Sequence, residues 1–246
     1  MSRKRKVLFC VEGAETETQI MEHLFCFYEI AMHYEIVSYK TNIYLLHQQM
    51  FASGDTNPDE LDFLQTLKEH EKDEKKRAIF DDIYSDIFLI FDFEPQDPRF
   101  TPERIKQMLL HFNESTDHGK LYINYPMAEA FYHMHTIPDP DYRNRMASLH
   151  EISSYKDMVF DKTAKHHYRR KFAQTAGDCR YVIEENCRKA WDLVKRPESI
   201  KQFPAFSDIL DAQLHSLTTL GQIAVLCTCV AFILENPVNP TKLREV

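Results

Sequence analysis

Apolar positions alternate between two rhythms over the first half of the chain. KVLFCV, residues 6–11, is a short, partly β-branched run that predicts a strand. In the following ETETQIMEHLFCFYEIAM, Ile20, Leu24, Phe27 and Ile30 recur at helical spacing, and Thr16 or Thr18 can cap the helix. HYEIVSYK reads as a second strand and TNIYLLHQQMF as a second helix. GDTNPDE predicts a turn, and LDFLQTLKEHEKDEKKRAIF one charged helix with Leu61, Phe63 or Leu64, and Leu67 facing inward. Ile87 to Phe91 is continuously apolar, as in a strand covered on both faces, and Pro95 and Pro98 stop it from running on. TPERIKQMLLHF predicts a helix that starts at Thr101. GKLYINYP is a fourth strand, and PMAEAFYHMH opens a further helix with Pro126 at its start.

Strands and helices alternating in this order predict an α/β fold, a mostly parallel Rossmann-like sheet with helices on both faces. From about residue 140 the strand signal ends, and the remaining long stretches read as helices. The expected organisation is an α/β domain over residues 5–137 and a helical C-terminal extension over 138–246. Within the extension, IAVLCTCVAFIL is too short for the roughly 20 residues that a bilayer span needs, so it predicts a buried C-terminal helix.

The 246 residues suit one large domain, or one domain with an appendage, and 43% hydrophobic residues supply a real core. Only five glycines argue against a loop-rich β-sandwich. A formal charge of −8 argues against a generic nucleic-acid coat protein, but leaves room for an acidic metal pocket beside a local basic patch. The six cysteines include no C-x-x-C pair. Cys227 and Cys229 lie in an apolar run, where a buried structural role is expected rather than zinc. That usage points to a reducing compartment, and MSRKRKVLF is too brief for a signal-peptide core; a cytoplasmic, non-membrane protein is expected.

Carboxylates gather where the strands end. Glu12 follows the first strand and Glu17 lies one turn into the next helix; Asp92 and Glu94 follow the buried third strand, with Asp97 close behind; Glu129 begins the segment after the fourth. Clustered carboxylates repel one another and are costly to desolvate. In a parallel sheet such ends share one edge, where reactive groups collect. Hard oxygen donors there suit Mg²⁺ or Mn²⁺, which would neutralise the repulsion, and two ions would suit phosphodiester cleavage. Taken singly, Glu15, Glu17 and Glu129 are also explained by the preference of acids for helix N-termini.

VEGAETE followed by FDFEPQD resembles the Toprim domain of topoisomerases, primases and several nucleases, marked by Glu-Gly after the first strand and Asp-x-Asp after a later one. The form Glu-Gly-x-x-Thr-Glu is most similar to the Toprim nucleases of the OLD-like, RloB-like and AriB-like anti-phage defence groups. The resemblance covers roughly residues 5–135. It implies Glu12 as metal-linked general acid/base and Glu17, Asp92, Glu94 and Glu129 as metal ligands. The second Asp of the motif is here Glu94, and Asp97 is a substitute for it. The resemblance also implies a DNA or RNA substrate, tRNA included, and control by a separate ABC-type ATPase, with a homodimer admitted. No Walker-type Gly-x-x-x-x-Gly-Lys is present in this chain.

DKTAKHHYRRKF is the natural phosphate-contacting stretch, with Lys162, Lys165, Arg169, Arg170 and Lys171 on about three helical turns and Tyr168 and Phe172 between them. A solvated face or a patch for an acidic partner protein is its plain alternative. His133 and His135 are in reach of Glu129 by sequence. The competing reading of the whole chain is a catalytically silent Toprim-like sensor or scaffold that acts through protein contacts.

Overall fold

The computed structural model describes residues 6–28, 33–51, 62–163, 172–197 and 202–236. β1 (Lys6–Val11) is an interior strand of a five-stranded sheet of order β2-β1-β3-β5-β4. It pairs in parallel with β2 (His33–Ser38) on one side and β3 (Asp86–Asp92) on the other. β5 (Gly119–Asn124) lies beyond β3, and the two-residue β4 (Asn113–Glu114) closes that edge antiparallel to β5. Helices α1 (Thr16–Phe27), α2 (Ile43–Phe51), α3 (Phe63–His70), α4 (Glu74–Ile79) and α5 (Pro102–His111) flank the sheet. The chain is therefore α/β with a mostly parallel sheet, as the alternating rhythm predicts.

The continuous apolar runs have a physical cause. Leu8 to Val11 and Leu89 to Phe91 have no exposed surface, so both faces of β1 and β3 are covered and no polar alternation is tolerated. Each such side chain contributes about 1.5–3 kcal/mol by leaving water. Thr101 caps α5 by accepting from the Arg104 N–H at 3.2 Å, with Pro102 at the first helical position.

Contacts divide the chain into two compact units. The first holds β1, β2, α2 to α5, β4 and most of β3 and β5. The second takes α1 from Gln19 onward, Asp92–Gln96, and the described chain from Ile123.

Three expected helices differ. The charged one is broken into α3 and α4. Glu71 accepts from the Lys72 and Asp73 N–H groups at 2.8 and 2.9 Å, and Asp73 caps α4 through the Lys75 N–H at 2.9 Å. Short acidic side chains outcompete the helix for its own backbone here. Phe63 and Leu67 are buried as expected, while Leu61 lies outside the described residues.

The helix expected at Pro126 is a 3-10 segment, Ala128–Tyr132, entered through a cis Tyr125–Pro126 bond and an extended Met127. The Pro126 carbonyl accepts from the Phe93 and Glu94 N–H groups at 3.1 and 3.3 Å, so Pro126 belongs to the end of the sheet and not to a helix start.

The C-terminal part is not wholly helical, and IAVLCTCVAFIL is not one helix. β6 (Met146–Ser148), α6 (Leu149–Ile152), α7 (Tyr155–Thr163), α8 (Ala176–Leu193) and α9 (Phe206–Leu220) are followed by β7 (Gln222–Ala224), which pairs antiparallel with β6. α9 ends at Gly221, whose φ of 64° only glycine adopts at no cost, and its N–H donates to Leu217. Extended chain then exchanges two 2.8 Å bonds between Leu226 and Tyr125, before a 3-10 turn and α10 (Ala231–Glu235). The segment is buried from Ile223 to Ile233, Cys227 and Cys229 included. Among the described residues no helix is long and apolar enough to cross a membrane.

Candidate active site

In the first unit, the backbone of Glu12 is fixed on both sides just past β1. Its N–H donates to Ile90 of β3 at 3.1 Å, and its carbonyl accepts from the Lys40 N–H and the Ser38 hydroxyl at 3.0 and 3.3 Å. The residue itself is half-buried. Ile90 is two residues before Asp92, so the backbones of two acid-bearing strand ends are tied by register alone. Glu17 is buried in the first turn of α1, and its Oε1 accepts from the Gly13 N–H at 3.0 Å. The helix N-terminus and this N–H both favour its charge. A Cβ on Gly13 would lie 2.8 Å from Glu17 Oε2, so a side chain here would push that carboxylate aside.

Asp97 is held by its own loop. It accepts from the Arg99 N–H, Nε and Nη2 at 2.8, 2.9 and 2.7 Å, and from Asn42 Nδ2 at 2.6 Å. The Arg99 side chain, with that N–H and Asn42, holds the Asp97 carboxyl down at about 2 against the opposing effect of burial.

In the second unit, Asp92 is buried at the end of β3 and its Oδ1 accepts from the Ala128 N–H at 2.8 Å. Phe93 then donates to Asn124 and Pro126 at 3.0 and 3.1 Å. Glu94 follows with a φ of 35°, a left-handed conformation that costs a residue with a side chain about 1 kcal/mol or more and recurs at functional sites. Glu129 is buried in the 3-10 segment with Lys156 Nζ at 3.4 Å from Oε1. His133 is buried at the end of that segment, its Nδ1 2.8 Å from the Tyr155 hydroxyl; His135 is exposed, and its ring is 5.8 Å from that of His133.

Lys165, Arg169, Arg170 and Lys171 lie outside the described residues, as does the side chain of Lys162 at the end of α7. Phe172 is fully buried, with ring centroids 5.3 and 5.4 Å from Phe131 and Tyr132, so it is a core residue and not a base-stacking one. Sequence reasoning passed over Tyr155, Lys156 and Asn124. None belongs to a motif, and Asn124 gave no signal beyond ending a strand.

The oxygen donors are right in kind for a hard divalent cation. Their grouping is not: among the described residues, no three His, Cys, Asp or Glu side chains come together as a metal-holding set. Searches for similar proteins add no further constraint, since no family model, no curated protein and no solved structure matches this chain.

Proposed function

We propose that the chain is a Toprim-like nuclease that cleaves phosphodiester bonds, with a catalytic part over residues 5–137 and an extension over 138–246. The observation that carries the reading is the backbone tie between Glu12 and Ile90, which fixes an acidic residue just past β1 against its parallel partner β3. The strained Glu94 and the buried Glu17 and Glu129 support it. In this reading Glu12 takes and returns the proton of the attacking water, and Lys156 offers a cation for phosphate beside Glu129. Mg²⁺ or Mn²⁺ is the cofactor by donor chemistry alone, since among the described residues no three carboxylates come together. Nucleic acid contact at Lys162, Lys165, Arg169, Arg170 and Lys171, control by an ABC-type ATPase, a role in anti-phage defence and a cytoplasmic site of action belong to the same proposal.

Two observations favour the silent scaffold: among the described residues no three carboxylates come together, and Asp97 is held by Arg99. A single experiment separates the two. Wild type and Glu12→Ala are incubated with DNA and with total tRNA in Mg²⁺, Mn²⁺ and EDTA. Metal-dependent cleavage lost in the variant is the expected result. No cleavage, and no Mn²⁺-induced rise in the thermal midpoint of wild type, would leave the scaffold.

A further inference from the structure

The 3-10 segment Ala128–Tyr132, which carries Glu129, is a single short element, and 3-10 geometry is intrinsically poor. At its boundaries the Ala130 N–H donates to Met127 at 2.9 Å and the His133 N–H to Ala130 at 3.3 Å. Side chains also hold it from outside at both ends. At the start, Asp92 accepts from Ala128 and Lys156 reaches Glu129. At the end, the Tyr155 hydroxyl meets His133 Nδ1, and Arg145 Nη1 donates to the His133 carbonyl at 2.6 Å. Arg145 is itself fixed by Asp139 at 2.8 Å. Two of these four anchors are the first two residues of α7, the helix that leads into the basic stretch beginning at Lys162.

We propose that Tyr155, acting through His133, is a positioning residue for Glu129, so that the start of α7 sets the placement of this carboxylate. The pair suits that task. Both side chains are essentially fully buried, their rings stack edge to face at 5.3 Å, and their bond has no water to compete with it. The Tyr155 hydroxyl stays protonated because burial raises its pKa well above 10, so it is always available to this bond. The placement of the segment stands on these contacts alone; its consequence for cleavage rests on the nuclease reading.

The test uses the full chain with Tyr155→Phe, His133→Asn and His133→Leu. Asn presents a polar atom where Nδ1 sits and is expected to keep the bond; Phe and Leu remove it. Hydrogen exchange of the 129–133 amides is expected to quicken about tenfold or more in Tyr155→Phe and His133→Leu, to stay near wild type in His133→Asn, and to leave α9 unchanged. Where wild type cleaves, kcat is expected to fall about tenfold in Tyr155→Phe and His133→Leu, and not in His133→Asn, with KM for nucleic acid unchanged, the scale of losing a supporting residue behind a reacting group. Unchanged exchange in Tyr155→Phe, exchange that quickens equally in α9, or quickened exchange with wild-type kcat would each overturn the proposal. A wild type that neither cleaves nor shows a Mn²⁺-induced rise in its thermal midpoint sinks the nuclease reading, while the exchange experiment still decides the placement.

Discussion

In the first unit a buried main-chain N–H finds its partner on a neighbouring strand, as Glu12 finds Ile90; in the second it often finds a side chain. Asn124 Oδ1 accepts from the Thr228 and Cys229 N–H groups at 3.1 and 3.3 Å. Gln213 both donates to and accepts from the backbone of Ala224, at 2.8 and 2.9 Å, standing in for a strand. Asn186 Oδ1 accepts from the Tyr142 hydroxyl and the Cys227 N–H at 2.6 and 2.8 Å. A ladder can be built by many sequences with the right apolar pattern, whereas each of these amides does its task alone. The second unit should therefore lose more to a single polar substitution.

Asn186→Ala puts that to its hardest trial. It strands a buried hydroxyl and a buried N–H, each at a cost of about 1–3 kcal/mol, so a loss of about 3 kcal/mol in urea unfolding is expected. Asn42→Ala in the first unit removes a part-buried bond from the Leu45 N–H at 3.0 Å and one to Asp97, and is expected to cost about 1 kcal/mol. Equal losses would erase the contrast between the units.

The same contrast explains what could be read from the sequence. β1, β3 and β5 followed from their apolar runs, because burial of both strand faces dictates such runs directly, and α1, α2 and α5 followed from helical spacing. The antiparallel β6–β7 pair did not, since its three-residue strands are shorter than any period and exist because Gly221 ends α9 and Leu226 bridges Tyr125. In the candidate site, Glu12, Glu17, Asp92, Glu94 and Glu129 were legible because carboxylates after apolar runs are conspicuous. Tyr155 and Lys156 were not, since their relation to His133 and Glu129 exists only in the folded chain. Nothing in the spacing of Asp97 told of Arg99 closing on it.

Lys189 offers a second, smaller test. Its ammonium is buried, donates to the carbonyls of Tyr142 and Arg145 at 2.8 and 2.5 Å, and sits 4.7 Å from the centre of the Tyr142 ring. Burial first, and then the charge of Arg145, push its pKa well below 10.5, against the opposing pull of Asp139 and Asp192. The unfolded chain therefore binds more protons, and this group's contribution is fully present above pH 10.5 and lost as pH falls through the folded value. Lys189→Met is expected to cost about 1–2 kcal/mol at neutral pH through the two lost bonds. The gap between wild type and variant should widen as pH rises toward about 10, and taking that difference cancels the buried thiols and tyrosines. A gap independent of pH would mean that the lysine is not desolvated.

Gly13→Ala acts on the first unit at about the scale of one hydrogen bond. Its Cβ displaces the Glu17 carboxylate and weakens the Gly13 N–H contact, for an expected loss of about 1 kcal/mol. The larger effect should fall on cleavage. Gly13→Ala combined with Glu17→Ala should be no worse than Glu17→Ala alone, because the clash acts through the Glu17 side chain; additive losses in the double variant would assign Gly13 a separate task.

The smallest effect is expected at Asp97, and it bears on the site as much as on stability. Its carboxyl is held at about 2 rather than 3.8, so its contribution is fully present above pH 3.8 and is lost as pH falls toward 2. Asp97→Asn should therefore differ from wild type by a small constant amount from neutral pH down to about pH 5, as near-surface pairs do, and the difference should close only below that. Its contacts make it a clamp between Asn42 and Arg99, whereas Glu94 has a longer arm and a left-handed backbone. The clamp reading predicts that Asp97→Asn keeps any Mn²⁺-induced rise in the thermal midpoint, while Glu94→Gln loses it. The reverse pattern would mean that the Asp97 carboxylate leaves Arg99 for the ion, and would move the second acidic position of the motif from Glu94 to Asp97.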